Sequence, residues 1–309
     1  MNDKTSDVSS LFLLPKQKKR ELREKVFEII FFLCAALSIL TTVGIIGTLV
    51  FQSIPFFQEI SILEFLGGTR WSPILKPQDF GVLPLLMGTI LVSVIALGFA
   101  VPIGLLIAIF LSEYAPPKLR SILKPILEIL AGIPTVVYGY FALTFVTPQL
   151  QSLIPNLMIF NALSAGLVMG LMITPMICSL SEDAMMAVPQ SLRNAALALG
   201  ARKMEVSTKI VVPAASSGII ASCLLAFSRA IGETMLVTIA AGATPKMSIN
   251  PLESIQTMTA YIVQLALGET PHGSLEYNTI FAVGLLLFIV TLFINLIGHL
   301  LIQHWKEPT

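Results

Sequence analysis

The 309-residue chain lacks most of what a soluble enzyme or a nucleic-acid-binding protein needs. Only 12% of its residues are charged, about half the ~25% usual in soluble domains. The formal net charge is +1, so no basic surface draws in nucleic acid. The three histidines, at 272, 299 and 304, are too scattered to frame a metal site. The three cysteines, Cys34, Cys178 and Cys223, lie in apolar stretches without CxxC or Cys/His spacing, and are expected as small buried residues. No GxxxxGK[ST] phosphate loop is present, so any ATP-driven activity needs a separate chain to hydrolyse the nucleotide. No catalytic residue, metal or cofactor is expected. An intramembrane enzyme would require Asp, His or Ser clustered on facing helices, and the sequence offers no such set.

What the chain has instead is apolar length, with 55% hydrophobic residues. A membrane helix needs about 20 apolar residues, and six segments qualify: 26–51, 82–111, 122–147, 159–180, 214–242 and 279–303. Pro and Gly interrupt several of them, as in "FAVPIG" and "LAGIPTVVYGY". Membrane helices tolerate these where neighbours restore the backbone hydrogen bonds. The reading is an all-α integral membrane protein with six transmembrane helices.

Charge orients the spans. Of nineteen Lys and Arg residues, only Arg70, Lys76 and Lys246 fall on one side and Arg229 falls within a span; the other fifteen lie opposite. Both termini are therefore expected in the cytoplasm. This divides the chain into a basic N-terminal arm (1–25), a first span (26–51), an external loop (52–81), a core of five spans (82–303) and a short cytoplasmic tail (304–309). The arm "KQKKRELREK" has no small-residue cleavage site and is expected to stay attached. Within the core lie a cytoplasmic loop, 182–212, and an external helical loop, 243–278. Trp71, in "FLGGTRWSP", suits a membrane interface. In the external helical loop the spacing predicts a helix capped by Asn250, with Pro251 in its first turn, Glu253 at the third position and Gly268 at its end. Its apolar stripe is Leu252, Ile255, Met258, Ile262 and Leu265, and it is expected to lie on the bundle or the membrane interface.

The 182–212 loop is the most specific stretch. Pro189 suits a helix start and Gly200 the residue just past a helix end. Between them Leu192, Ala195, Ala196 and Leu199 form one apolar face, with the small Ala pair allowing a partner's close approach. A second short helix is expected to run to Val212, with Pro213 punctuating the next span. The pattern "NAALALGARKMEVSTKIVVP" resembles the coupling loop of ABC-importer permeases, with Ala195, Ala196, Gly200, Ile210 and Pro213 in register. Asn194 stands where that family has Glu, and Val212 where it has Leu. Further stretches, "FGVLPLLMGTILVSVIAL", "AIFLSEYAP", "LEILAGIPTVVYGYFAL" and "SRAIGETM", are similar to phosphate-importer permeases. The outer "TRWSP" segment and the basic arm favour the PstC-type subunit. The similarity runs from about residue 25 to 303.

That resemblance implies a type I ABC-importer permease fold in a bacterial inner membrane, with the loop at 194–213 as the site of ATPase coupling. It also implies four kinds of partner: a second homologous permease, a dimeric ATP-binding-cassette ATPase, an external phosphate-binding protein, and membrane lipid. Related permeases carry sulfate or molybdate, so the anion stays open, and an ATP-independent carrier is the remaining alternative.

Two charges interrupt the fifth span, Arg229 and Glu233. A charge at the bilayer centre costs about 2.5–3.5 kcal/mol on insertion scales, so the two are expected to pair or to face a polar path. On a continuous helix the i, i+4 spacing puts them on one face. Arg229 is a candidate contact for a tetrahedral oxyanion. Glu233 is a candidate moderator of that attraction, and Ser228 and Thr234 are candidate hydroxyl contacts. A plain buried ion pair is the alternative. Span five is expected to carry motion from Gly200 to Arg229 through one helix. Glu128 is expected to pair with Lys124, one turn earlier.

Overall fold

The computed structural model describes the backbone of residues 7–268, 270–271 and 273–304, and side chains from 23 to 300 within those ranges. The far ends of the basic arm and of the short tail, and His272, lie outside the described residues. Residues 1–51 form one unit and residues 52–309 a second.

The first helix, α1 (Asp7–Glu59), is far longer than the expected 26–51 span. In the first unit its side chains are exposed nearly throughout, Phe31, Phe32, Leu37 and Leu40 among them. Cys34 is exposed as well, against the expectation of a buried cysteine, because α1 has no buried face between residues 23 and 51.

The second unit continues with α2 (Ile62–Gly67), capped by the Ser61 hydroxyl, and the paired strands β1 (Trp71–Ser72) and β2 (Asp79–Phe80). Next come α3 (Leu83–Ile109), extended by a π-turn over Phe110–Tyr114, and α4 (Pro117–Ala131). Then follow α5 (Thr135–Phe141), a π-turn over Ala142–Val146 and α6 (Thr147–Leu153). Helix α7 (Ala162–Met186) starts where Asn161 Oδ1 accepts the Ser164 N–H at 2.7 Å, an N-cap that satisfies one orphan donor. The remaining helices are α8 (Gln190–Ala198), α9 (Lys203–Val206), a π-turn over Ser207–Val211, α10 (Val212–Ala214), α11 (Ser216–Ile231), α12 (Met235–Ala240), α13 (Met258–Leu267) and α14 (Leu275–His304).

Among the described residues four stretches are long and apolar enough to cross a membrane: Arg23–Glu59, Leu83–Tyr114, Ala162–Met186 and Leu275–Leu300. Two bent pairs complete six spans. The expected third span, 122–147, is not straight. Helices α4 and α5–α6 meet at 86°, at Gly132-Ile133-Pro134, where Pro134 supplies no backbone N–H to continue the ladder. The expected fifth span, 214–242, is broken twice. A 70° bend falls at Ala215, and Gly232 to Thr234 leave the helix before α12 begins.

Helices α3 and α7 form the centre of the core, with Val92, Ala96 and Ala100 against Ala165, Met169, Met172 and Ile173. A Cβ on Gly170 would sit 2.8 Å from the Ala96 carbonyl oxygen, so hydrogen is the only side chain that lets the backbones approach this closely. At one end of the bundle, an aromatic cluster joins Phe56, Phe65, Trp71 and Phe80 to Tyr261 on α13. Trp71 is 4% exposed and stands edge-on to Tyr261 with ring centroids 4.9 Å apart. It is thus a core residue and not the interfacial anchor its neighbourhood in the sequence suggests.

At that same end the expected helix from Asn250 begins only at Met258. Asn250 caps a turn instead, accepting the Leu252 N–H at 3.1 Å. Residues 251–253 form a turn and bend against the start of α7, with Leu163 N–H donating to Pro251 O and Ala162 N–H to Glu253 O. The true N-cap is Thr257, and Gly268 ends the helix as expected. The N-terminal turn of α13, Met258 to Tyr261, is buried.

At the opposite end, Leu111, Met185, Val188, Ala196, Val206, Val211 and Ile219 make a third cluster. This end carries Lys118, Arg120, Lys124, Arg193, Arg202, Lys203 and Lys209.

Candidate functional site

Within the 182–212 loop, Pro189 is the N-cap of α8 and Gly200 follows its C-terminus, as the sequence predicts. Gly200 has φ +86°, a conformation that costs a residue with a Cβ. Its N–H donates to Leu197 O at 3.0 Å and the Ala201 N–H donates to Ala196 O at 3.1 Å. This double closure is the Schellman ending, which satisfies the last carbonyls of the helix.

The apolar face expected on α8 divides in two. Ala196 is buried against the basic-end cluster, while Leu192, Ala195 and Leu199 point outward, Leu199 at 90% exposure. Asn194 is also exposed, 3.4 Å from Gln190. Ile210 and Val212 pack at the margin of the cluster, and Pro213 sits in the first turn of α10 without interrupting it.

No local spacing announces what holds α8 down. Arg193 lies on its inner face beside Ala196, with its side chain 9% exposed, and pairs with Glu113 at the end of α3, itself 7% exposed. Nε and Nη2 of Arg193 reach Glu113 Oε1 at 3.3 and 3.0 Å. Nη1 donates to Val188 O, and Nη2 also donates to Met185 O at 2.7 Å. The guanidinium therefore takes up two carbonyls at the C-terminal end of α7 and one carboxylate from α3. Removing one partner of so buried a pair costs about 3–5 kcal/mol. Next to Glu113, Lys203 Nζ stands 4.9 Å over the Tyr114 ring and Ser112 Oγ is 3.4 Å from Met185 Sδ. A cavity of about 700 Å³ opens beside the joint, bounded by Glu113, Pro189, Arg193, Leu197 and Lys203.

A second ion cluster lies close by. Glu182 on α7 is fully buried and is met by Arg120 and by Lys124 Nζ, the latter at 3.2 Å. Lys124 also reaches Asp183 Oδ1 at 2.7 Å. The expected Lys124–Glu128 pair is therefore absent: Lys124 turns toward α7, and Glu128 remains on the exposed side of α4. A helical i, i+4 spacing brings charges near each other, but two carboxylates on the neighbouring helix win the cation.

The Arg229 and Glu233 region departs most from a continuous helix. Arg229 lies on the last turn of α11 and is exposed; Glu233 falls in the break that follows. No ion pair joins them. Glu233 is 8% exposed, and its Oε1 accepts the Leu236 N–H at 3.3 Å at the start of α12. Its backbone carbonyl accepts from Thr259 Oγ1 at 2.7 Å, which ties the break to the buried start of α13. Among the described residues, no hydrogen bond or ion pair reaches the Arg229 guanidinium. One turn earlier on α11 Leu225 is exposed too, and exposed apolar side chains also lie on α12 (Met235) and on α5, which packs beside α12 (Val136, Val137 and Phe141).

The two candidate hydroxyls do not converge on Arg229. Ser228 Oγ donates to Asn295 Oδ1 on α14 at 2.6 Å, and Thr234 Oγ1 donates to the nearby Gly232 carbonyl at 3.1 Å. Among the described residues no group of three or more His, Cys, Asp or Glu could hold a metal.

Comparison with known proteins identifies the family. Residues 100–307 match the family described as the binding-protein-dependent transport system inner membrane component. A probable ABC transporter permease protein, YqgH, of Bacillus subtilis (strain 168) is 34% identical over 291 residues, covering 93% of this chain and 94% of its own length. The phosphate transport system permease protein PstC of Haemophilus influenzae is 32% identical and covers 90% of each chain. PstC of Mesorhizobium japonicum is 32% identical over 80% of each. Among solved structures, a bacterial alginate ABC transporter in complex with its periplasmic protein aligns over 96% of this chain and 100% of its own, at 17% identity and TM-score 0.64. The inward-facing MetNI methionine ABC transporter aligns over 73% and 98%, at 18% identity and TM-score 0.57. This chain belongs to the binding-protein-dependent transport inner-membrane family, as an ABC-importer permease of the PstC type with the type I fold.

Proposed function

We propose that this chain is one of two permease subunits of an ATP-driven importer for inorganic phosphate, and that the anion passes its Arg229 at the break in the fifth span. The observation that carries this reading is the Arg229 guanidinium, exposed on the last turn of α11 and without a partner among the described residues. A cation facing lipid there is strongly disfavoured, whereas one facing an aqueous path between two permeases has a reason to remain. Arg229 offers an oxyanion a fixed charge and a planar fork of donors. Glu233, held by the α12 N-terminus, sets a carboxylate near the path that keeps the anion from being held too tightly. It could also accept a hydrogen bond from a protonated phosphate, which ionised sulfate does not offer. The anion is taken as phosphate because relatives covering most of the chain are phosphate transport system permeases.

In this reading both termini and the 182–212 loop are cytoplasmic, and 52–81 and 243–278 face outward, in a bacterial inner membrane. The outward side of α8, with Leu192, Ala195 and Leu199 exposed, meets an ATPase dimer. An external phosphate-binding protein delivers the anion from the other side. The test is purification followed by reconstitution. A second permease and an ATPase should accompany the chain, and phosphate uptake should require ATP and the binding protein. Uptake of sulfate or molybdate in preference to phosphate would overturn the substrate, and ATP-independent uptake would overturn the class.

A further inference from the structure

The segment "AIFLSEYAP" ends the second span, and the reading above gives it no task. Yet three consecutive side chains from it reach the far side of the basic end. Ser112 meets Met185 of α7, Glu113 pairs with Arg193 of α8, and Tyr114 lies under Lys203 of α9. Arg193 completes the joint by donating to Met185 O and Val188 O. The inner face of α8 is thus fastened to the ends of α3 and α7, which are the central pair of the core.

The covalent route from α8 to the fifth span is not one helix. Before it reaches Arg229 it passes the left-handed turn at Gly200 and the 70° bend at Ala215. A rigid helix transmits displacement along its axis; a chain that turns at Gly200 and bends by 70° at Ala215 offers no single axis from α8 to Arg229.

We propose that the Glu113–Arg193 pair is the joint through which displacement of α8 enters the membrane core, by way of α3 and α7 and not along the fifth span. Both are positioning residues, for neither lies near the Arg229 surface. From α7 the motion passes sideways to α11, where Ser181 and Ser222 share a buried 2.8 Å hydrogen bond. The inference rests on the reading of α8 as the ATPase-facing element, and it reverses the expectation that motion at Gly200 runs through one helix to Arg229.

The test uses the whole transporter in proteoliposomes, with three readouts on each preparation: ATPase retained on purification, ATP hydrolysed, and phosphate taken up per ATP. Glu113→Gln keeps the side-chain shape and removes the charge. Arg193→Lys keeps the charge but cannot hold the carboxylate and both carbonyls together. Lys203→Met removes only the contact with Tyr114. The expected result is that Glu113→Gln and Arg193→Lys retain the ATPase and hydrolyse ATP, with uptake per ATP falling tenfold or more. Lys203→Met should lower it less than threefold. Should Arg193→Lys fail to assemble, Glu113→Gln decides alone. Uptake per ATP within twofold of the parent in an assembled Glu113→Gln transporter overturns the joint. So does loss of uptake in strict proportion to lost ATPase, which is what a merely structural pair would give. If the parent protein itself shows no ATP-dependent uptake, the functional reading fails instead.

Discussion

Replacing Gly200 separates backbone conformation from steric fit, because the site is spacious. An added Cβ would meet nothing within 4 Å, yet φ is +86°. The penalty is therefore conformational: about 1–2 kcal/mol for an ordinary residue in the left-handed region, more for a β-branched one, and little for Asn, which visits it readily. That energy is a factor of roughly 5–30 in the population of the closed turn. The closed turn is what pairs the Gly200 and Ala201 N–H groups with Leu197 and Ala196 and fixes where exposed Leu199 points. The series Gly200→Asn, Gly200→Ala, Gly200→Val should then rank in that order. Hydrogen exchange at residues 199–203 reads the turn, and ATPase co-purification with ATP-coupled uptake reads its consequence. Asn should stay near the parent, Ala should open the turn by the factor above, and Val should lose docking or coupling outright. Parental exchange and parental coupling in Gly200→Val would refute both the conformational argument and the placement of this loop.

Three further substitutions test separate parts of the account. Ser228→Ala should leave uptake unchanged, because its hydroxyl is given to Asn295; the cost should be about 1 kcal/mol of stability, seen as a lower Tm in detergent. Glu182→Gln should destabilise the protein by up to about 3 kcal/mol, since it strips a fully buried carboxylate from Arg120 and Lys124, whereas Glu128→Gln should stay within about 0.5 kcal/mol. Equal effects of the two in thermal unfolding would contradict the ion cluster. Gly88→Ala would place a Cβ 2.4 Å from the Gln256 carbonyl oxygen, and such overpacking should cost about 1–3 kcal/mol, measured as the same Tm loss.

The features legible in the sequence were those set by local chemistry. Pro189 and Gly200 frame α8 because a fixed φ and a left-handed turn are properties of single residues. Gly268 ends α13 for the same reason. Apolar length placed six spans, but length alone does not say whether a span is straight. Neither the right angle at Pro134 nor the break at Gly232 has a periodicity to betray it; Pro and Gly occur equally inside the intact helices α3 and α7. Asn250 has the chemistry of a helix cap and caps a turn, and the carbonyls of Pro251 and Glu253 that follow it accept from the start of α7 instead of continuing a helix. The Glu113–Arg193 pair spans eighty residues, and no local spacing reveals a contact at that separation. Its only trace was a charged Glu-Tyr placed just where an apolar run ends. Arg229 and Glu233 were visible as misplaced charges, while their lack of an ion pair depended on the helix ending between them.

Phosphate uptake by the assembled transporter carrying Arg229→Gln, Arg229→Lys or Glu233→Gln tests the central claim most directly. With the ATPase and partner permease still bound, Arg229→Gln should abolish uptake, Arg229→Lys should retain a fraction of it because the charge survives without the planar fork, and Glu233→Gln should reduce it. Uptake at the parental rate in Arg229→Gln would contradict the account and leave Arg229 with no part in conduction.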